Sequence, residues 1–432
     1  MKVLRYISVI AALLLSGVVA DAQTEPFRRA AVIREIKYII KDGDYNKVLS
    51  SVKNAFGQYP DETLGDAEFH YFNAVAYNQL ALAEARKMYL QDNPDTAKYF
   101  SNVYSMMVEG RACDSLASIP NAKGKVDNRF RKEIVGLLSQ GTVKLPAAAK
   151  YFFQKKDYGK AYEYADLYLT NTVFVGHEYR IRGAQIRYSW GTDTVSVNKA
   201  SQEPENPETI TMSTVSVLSA YSLENDANAV KYSDIALRDS SLHEEILEIV
   251  CHSYEQLHDT AAYERSLEVG VIMYPGNKYF YASLIGLYNS QDMFRKSLDV
   301  VNDVLRTHPD DRDLWFVKGT EELYLGEQDK ALLSFNNAVS LKADDAESYS
   351  NIGTIYLQKA NLLYQKERGL KGKELRTLRA ELHMTYNNAK GAFENARKYA
   401  EQRTDLWLAG LKEVYYKLNM GKELMLLEYT YK

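Results

Sequence analysis

The chain has 432 residues, of which 46% are hydrophobic and 25% charged, and its formal net charge is −4. This composition is ordinary for a soluble protein. No basic patch or charge run stands out in the sequence, which argues against nucleic acid as a partner.

The first 22 residues have the pattern of a secretory signal peptide. Lys2 and Arg5 provide a positive start, residues 7–20 are largely apolar, and Ala20-Asp21-Ala22 forms a small-x-small cleavage site. A lone transmembrane anchor is the alternative, but the apolar run is short for a membrane span. We therefore expect cleavage near Ala22, export to a bacterial periplasm or the cell envelope, and no transmembrane segment in the mature chain.

Helical patterns follow from residue 29 onward. Apolar spacing predicts two helices around the turn Asp42-Gly43-Asp44-Tyr45, the second ending near Tyr59-Pro60. A second such turn, at 156–161, precedes a helix that contains Tyr164 and Tyr168. Between the two turns, helices are predicted over 64–90, 96–116, 129–138 and 145–154, with a loop at 117–127 and the last two helices forming a pair.

A change of pattern divides the chain near its middle. Residues 195–211 contain Pro204, Pro207 and several acids, which predicts an exposed loop. We place a linker at 191–211, between an N-terminal half (23–190) and a C-terminal half (212–432). Both a hinge and a plain long loop are compatible with this pattern.

The clearest pattern lies between Asp313 and Asp344. Its aromatic, glycine and small residues stand at Trp315, Gly319, Gly326, Ala331, Phe335, Ala338 and Leu341. This spacing resembles the tetratricopeptide repeat (TPR), with Glu322 where Tyr is usual and Ala343 where Pro is usual. Steps of about 34 residues, the period of that family, place Tyr281 and Tyr349 in register with Trp315, and Tyr254, Tyr288 and Tyr356 in register with Glu322.

The resemblance covers about 212–357 and implies an all-α fold. We expect a right-handed superhelical solenoid of antiparallel helix pairs, with divergent TPR-like repeats in the N-terminal half. Trp407 restarts the pattern, and a short last helix over 422–429 would shield the end of the solenoid. If Trp315 is buried, its replacement by Ala should cost about 3–5 kcal/mol.

One C-terminal repeat contains an insertion. Gly353 and Ala389 match family positions 12 residues apart but are 36 apart in this chain, so 24 residues have been added. The added part, about 359–382, is helix-forming on both sides of Gly369-Leu370-Lys371-Gly372, which predicts an elongated helical hairpin. A docking surface and a variant without a separate role are both compatible with it. The arms of the hairpin are expected to be held together by Leu362, Leu363, Leu375, Leu378 and Leu382.

Catalytic and metal-binding patterns are weak. Glycine-rich phosphate loops, HExxH, CxxC and GxSxG are absent, so we expect no enzyme, no catalytic residue and no cofactor. The best metal candidate is the group His243, Cys251, His252 and His258, but its spacing favours solvated histidines beside a buried cysteine. Cys113 and Cys251 are 138 residues apart in a linear array and are expected to be free thiols.

Four tripeptides consist of Asp, a hydroxyl residue and an apolar residue. They resemble the acceptor motif of a periplasmic O-glycosylation system of some Gram-negative bacteria. The alternative is that Asp-Thr pairs are common at helix caps. The four are Asp95-Thr96-Ala97, Asp114-Ser115-Leu116, Asp193-Thr194-Val195 and Asp259-Thr260-Ala261.

In the TPR family the first helix of each pair lines a concave groove. Carried over by register, the resemblance implies a partner-binding groove at His252, Glu255, Asn289, Thr320, Tyr324, Asn351, Thr354 and Gln358. The set lacks the Lys, Arg and Asn residues by which some members clamp a C-terminal carboxylate, so that role is not implied.

A groove rich in Tyr suits an extended peptide or a helix, because aromatic rings give contact area at low entropic cost. We therefore expect an exported, non-enzymatic scaffold or adaptor that binds a protein or peptide partner, in association with a cell-envelope complex. A carbohydrate- or nutrient-binding accessory role is the second hypothesis, and a hydrolase is a distant third.

Overall fold

The computed structural model describes residues 27–174, 183–190, 193–200 and 206–431, and for residues 172–174 and the two strands it describes the backbone alone. The predicted signal peptide lies outside these residues. Contacts divide the chain into two compact units, with the boundary after residue 178. Apart from one two-stranded ribbon, the described elements are helices, which confirms the predicted all-α solenoid of helix pairs.

The first unit contains helices that pack against their neighbours in the sequence. Gly43 has a φ of 76° and closes the first turn, and Ile36, Val48 and Phe69 share one core. The helices are α1 (Arg29–Asp42), α2 (Tyr45–Gln58), the short α3 (Pro60–Thr63), α4 (Ala67–Leu90), α5 (Thr96–Ala117), α6 (Arg131–Thr142), α7 (Leu145–Gln154) and α8 (Tyr158–Phe174).

The predicted pairing of 129–138 with 145–154 is wrong. Helix α6 packs mainly on α5, and α7 packs mainly on α8. Gly110 of α5 explains the first contact, because a Cβ there would lie 3.1 Å from the Leu138 side chain of α6. The second contact buries the ring of Phe152 against that of Tyr164, with centroids 5.2 Å apart. The apolar face of α7 therefore meets the helix after it.

Part of the segment predicted as an exposed loop, 195–211, is regular structure. Strand β1 (Gly183–Trp190) pairs with strand β2 (Asp193–Ala200) as an antiparallel ribbon, in a register that joins Gly183 to Ala200 and Trp190 to Asp193. Helix α9 then begins at Pro207, a residue type suited to the first turn of a helix. As a continuous loop, the predicted linker at 191–211 is therefore wrong. Its role as a boundary between two domains stays a prediction.

From residue 243 onward, the second unit consists of helix pairs in which each helix packs on its neighbours in the sequence. Its repeat spacing is regular, since the first helices of three successive pairs start at residues 278, 312 and 346. The helices are α9 (Pro207–Ser222), the short α10 (Asp226–Ala229) and α11 (Ser233–Ala236), α12 (His243–Gln256), α13 (Thr260–Met273), α14 (Lys278–Ser290), α15 (Phe294–Thr307), α16 (Arg312–Tyr324), α17 (Gln328–Leu341), α18 (Ala346–Lys366), α19 (Gly372–Tyr399), α20 (Leu408–Lys417) and α21 (Gly421–Thr430), with a 3₁₀ turn at Thr404–Leu406.

The turn inside each pair repeats with the same backbone geometry. Glu224, His258, Asp292 and Gly326, spaced 34 residues apart, all have φ between 55° and 76°. In each case the next residue donates its N–H to the carbonyl five positions earlier, as Asp259 does to Tyr254 at 3.1 Å and Glu327 does to Glu322 at 2.7 Å. This bond pattern is the Schellman motif, which satisfies the last carbonyls of a helix. The 34-residue register inferred from side chains is therefore also a register of the backbone.

Close approach of the two helices in a pair depends on glycine. A Cβ at Gly319 would lie 2.8 Å from the ring of Phe335, and a Cβ at Gly353 would lie 2.8 Å from the ring of Phe393. The first contact spans 16 positions and the second spans 40, a difference of 24. The same contact is thus made with 24 extra residues in between, which confirms the insertion.

Helices α18 and α19 form the predicted long hairpin. The Tyr386 hydroxyl donates to Asn361 Oδ1 at 3.0 Å, and Arg379 Nε lies 2.5 Å from Glu367 Oε1 across the two arms. Of the five leucines expected to join the arms, Leu362 is 53% exposed, so its assignment is wrong. Leu363, Leu375, Leu378 and Leu382 are half-buried.

The two tryptophans of the C-terminal repeats lie in different environments. Trp315 is only partly buried, and its Nε1 donates to the Pro309 carbonyl at 2.8 Å. Its replacement by Ala should therefore cost less than the about 3–5 kcal/mol of a fully buried aromatic residue. Trp407, by contrast, is 1% exposed and packs with Leu411 and Val414 under the last helix.

Cys113 and Cys251 are both buried and free, as predicted. Across the described part of the chain, we find no helix with the length and apolar character needed to cross a bilayer.

Candidate functional site

The eight predicted groove residues all lie on first helices of pairs in the second unit. His252 and Glu255 are on α12, Asn289 is on α14, Thr320 and Tyr324 are on α16, and the remaining three are on α18. Exposed side chains are Glu255, Tyr324, Thr354 and Gln358, and half-buried side chains are His252, Asn289, Thr320 and Asn351. The register thus places every one of them at the surface or at its edge.

Tyr324 is the most prominent of these residues. Its side chain is 66% exposed at the end of α16. The ring stacks on Phe294 of α15, with centroids 4.3 Å apart and planes within 5° of parallel. Stacking on Phe294 restricts the ring, while its high exposure leaves it available for contact. Sequence reasoning missed Phe294, although an aromatic residue in the first turn of a helix after a tight turn was a signal for it.

A second aromatic contact involves His252. The imidazole packs edge-on against Tyr221 of α9, with ring centroids 5.6 Å apart and planes at 89°. Tyr221 is itself 40% exposed. One turn further along α12, Glu255 extends from the surface. Tyr221 was not among the predicted residues, because its repeat is interrupted by the short helices α10 and α11.

After the pair that contains Asn289, the first helix of the next pair carries a buried carboxyl, that of Glu321, which the sequence did not predict. Glu321 is 1% exposed, and Ser297 Oγ donates to its Oε1 at 3.0 Å. Burial raises the pKa of Glu321, against the opposing effect of hydrogen bonds from Asn289 and Ser297. Asn289 is itself half-buried, so it is less available to a partner than the exposed Tyr324.

The adjacent Glu322 is the residue that departs from the TPR pattern. It is 3% exposed, and Ser334 Oγ donates to its Oε2 at 2.6 Å. Burial is again the main cause of a raised pKa. In the same register, Tyr288 donates its hydroxyl to Glu268 Oε1 at 3.0 Å. The residue at this register position thus bonds differently in the two repeats. Tyr288 bonds to the helix before it, whereas Glu322 bonds to the second helix of its own pair.

The polar residues toward the C-terminus are held by their own helices and by a neighbouring pair. Thr320 Oγ1 donates to the Phe316 carbonyl at 3.0 Å, and Thr354 Oγ1 donates to the Ser350 carbonyl at 2.9 Å. Gln358 Oε1 accepts a bond from Gln328 Nε2 at 2.9 Å. The two threonines therefore expose mainly their methyl groups and one oxygen acceptor each.

The histidine and cysteine group does not form a common centre. His243 Nδ1 is 2.8 Å from the Tyr274 hydroxyl, whereas Cys251 is fully buried and His258 occupies a turn with φ 55°. Burial lowers the pKa of His243. Within the described ranges no group of three or more His, Cys, Asp or Glu residues has the arrangement of a metal site.

Two of the four Asp-hydroxyl tripeptides follow the helix-cap explanation. Asp95 Oδ1 accepts from Lys98 N at 2.9 Å, and Asp259 Oδ1 accepts from Ala262 N at 3.0 Å. Ser115 is exposed in the last turn of α5. The side chain of Thr194 lies outside the described residues. Glycosylation of these sites stays a prediction.

No protein-family model matches the chain, and no curated protein matches it. Among solved structures, a crystal structure of MamA is similar over 43% of this chain and 95% of its own, at 17% identity and a TM-score of 0.31. YrrB, described as a TPR protein with an unusual peptide-binding site, is similar over 48% of this chain and 91% of its own, at 15% identity and a TM-score of 0.32. TTC0263, a thermophilic TPR protein of Thermus thermophilus, is similar over 46% of this chain and 96% of its own, at 19% identity and a TM-score of 0.27.

Proposed function

We propose that this chain is an exported, non-enzymatic scaffold that binds a protein or peptide partner along the first helices of its C-terminal repeats. The observation that carries the proposal is the Tyr324 ring, which is 66% exposed and yet held flat against Phe294. A rigid, exposed aromatic ring supplies contact area without the entropic cost of ordering it. Such rings are typical anchors of protein interfaces.

The residues around Tyr324 favour a peptide over a charged small ligand. The hydroxyl oxygens of Thr320 and Thr354 can still accept from peptide N–H groups, and the Gln358 amide nitrogen can still donate to a peptide C=O. The eight predicted positions contain no Lys or Arg. Recognition would therefore depend on aromatic contact and neutral hydrogen bonds, with Glu255 favouring a basic group at one end.

The location of this function is the periplasm or cell envelope, in association with a complex there. The pattern of the first 22 residues supports export, with cleavage near Ala22. Fractionation of the native cell, with the mature N-terminus determined by mass spectrometry, tests this part. Recovery of an uncleaved chain from the cytoplasm would contradict it.

The binding surface is tested by cross-linking in the native cell followed by capture. Tyr324→Glu places a charge on the stacked ring position, and Asn351→Glu does so on the next pair. We expect each to reduce the captured partner at least about tenfold, since a hot-spot contact is worth about 2 kcal/mol or more. The matched control is Tyr38→Glu, because Tyr38 is 66% exposed, as Tyr324 is, but lies on α1 of the first unit, outside the C-terminal repeats. Equal capture by all three variants would refute the assignment.

A carbohydrate partner is the alternative, because the exposed ring of Tyr324 could also stack on a sugar. Binding assays on two variants distinguish the carbohydrate function from the scaffold function. Saturable glycan binding lost in Tyr324→Ala and retained in Asn351→Glu would favour the carbohydrate function. Loss of a protein partner in both variants favours the scaffold.

A further inference from the structure

The tip of the α18–α19 hairpin is strongly basic, although no such patch stood out in the sequence. Five cationic residues and two acidic residues lie between 366 and 376, a net charge of +3 in a chain whose total is −4. All five cationic side chains are exposed. We call this set the basic tip; its members are Lys366, Arg368, Lys371, Lys373 and Arg376.

The charges of the basic tip are not neutralised within the chain. Glu367, one of the two acids beside the turn, is paired with Arg379 at 2.5 Å, outside the set. Among the described residues, no side-chain ion pair or hydrogen bond reaches any of the five. Two glycines with positive φ, Gly369 at 90° and Gly372 at 61°, shape the turn that carries them. The basic tip is therefore an exposed, uncompensated positive surface.

The same unit contains an uncompensated negative surface at the start of α12. A depression of about 340 Å³ is lined by Ser241, Leu242, Glu244, Glu245 and Glu248, which we call the acidic depression. Asn277 Nδ2 donates to Glu244 Oε1 at 2.9 Å and to Glu248 Oε1 at 2.5 Å. This amide holds the two carboxylates side by side without neutralising them. In the part of the chain that the structure covers, none of the three glutamates forms an ion pair.

We propose that the basic tip of one copy of this chain docks on the acidic depression of a second copy. Charge complementarity identifies the occupant, because each surface carries the charge that the other lacks. The depression has room for a long basic side chain, with Leu242 available to contact its methylene groups. The proposal is independent of the Tyr324 surface.

The two surfaces lie on different helices, so a single contact is heterologous. Such contacts either close into a symmetric assembly or continue as an open chain. Because the interaction is between exposed charges, it weakens as salt shortens the screening length from about 30 Å at 0.01 M to about 8 Å at 0.15 M. Self-association should therefore be strongest at low ionic strength.

Sedimentation velocity of the full mature chain, over a range of protein and salt concentrations, tests the proposal. The tip variant carries Lys371→Glu and Lys373→Glu, and the depression variant carries Glu244→Lys and Glu245→Lys. Each alone should sediment as a monomer where the parent associates, with a dissociation constant raised about tenfold or more. An equimolar mixture of the two variants should associate again, because the exchanged charges are complementary.

The control variant carries Lys123→Glu and Lys125→Glu, the same charge change on exposed loop residues before α6, and should associate as the parent does. Circular dichroism checks the fold of each variant, and Glu244→Gln with Glu245→Gln replaces the depression variant if the lysines unfold it. A parent that is monomeric at low salt overturns the proposal. So does a mixture that stays monomeric, or a monomeric parent whose basic tip binds anionic phosphatidylglycerol vesicles or oligonucleotides instead.

Discussion

Gly270 provides the sharpest test of how the helix pairs pack. It lies in α13, and a Cβ added there would stand 2.2 Å from Cδ1 and 2.3 Å from Cγ of Phe280 in the next helix. Ordinary contact begins at 3.4 Å, so the ring would have to retreat by more than 1 Å. Phe280 is completely buried, which leaves it no free space. We expect Gly270→Ala to cost about 3 kcal/mol in packing, the upper end of the range for overpacked cores.

Gly286 is the matched control in the following helix. It lies in the interior of α14, and a Cβ there would meet nothing within 4 Å. Gly286→Ala should therefore stabilise the unit by about 1 kcal/mol, the helix-propensity difference between Gly and Ala. Gly270→Ala gains the same propensity, so its net cost is about 2 kcal/mol. The difference between the two variants, about 3 kcal/mol, isolates the clash with Phe280.

Equilibrium denaturation in urea, followed by circular dichroism, measures both variants. Gly319→Ala should fall between them, because its Cβ would lie 2.8 Å from the ring of Phe335. Phe280→Leu in the Gly270→Ala background should recover part of the loss, as coupled neighbours do in a double-mutant cycle. Equal stability of Gly270→Ala and Gly286→Ala would refute the proposed contact between α13 and α14.

Two further predictions concern the repeat turns and the buried acids. His258→Gly should stabilise the second unit by about 1 kcal/mol, and Gly326→Ala should destabilise it by about as much, because both positions have positive φ. Equal melting temperatures for the two variants would contradict the shared turn geometry. Glu321 and Glu322 have raised pKa values, so their protonated forms favour the fold below the unfolded pKa, and this stability is lost as pH rises through the folded pKa. We therefore expect these two carboxyls to contribute more stability as the pH falls through their raised folded pKa values toward the ordinary 4.5, and a variant with both Glu321→Gln and Glu322→Gln to lack that contribution in pH-dependent denaturation.

The local pattern in the sequence was sufficient for the register of the helix pairs. Gly319, Ala331 and Phe335 show where two helices touch, since only small residues admit a ring at that distance. The long hairpin also followed from sequence, because 24 added residues with high helix propensity on both sides of a glycine turn have few other arrangements. These features depend on contacts between residues close in sequence.

The register also located the candidate surface, but it did not decide which of its side chains are free. Tyr324 and Asn289 were equivalent as predictions. In the structure, the ring of Tyr324 is exposed and stacks on Phe294, while the side chain of Asn289 is half-buried. That difference depends on neighbours in adjacent helices, which a register of single positions does not contain.

Only the tertiary structure decided the features that depend on which elements meet. Helix α7 pairs with α8 because its apolar face fits Tyr164, and paired strands occupy 183–190 and 193–200, where no strand was expected. The burial of Glu322 was also decided by a neighbouring helix. A carboxylate is expected at the surface, but Ser334 of the facing helix donates a hydrogen bond to it at 2.6 Å. The sequence by itself determined the repeating unit, through small residues, helix periodicity and turn spacing. The tertiary structure decided burial and pairing, because both depend on side chains brought together from different helices.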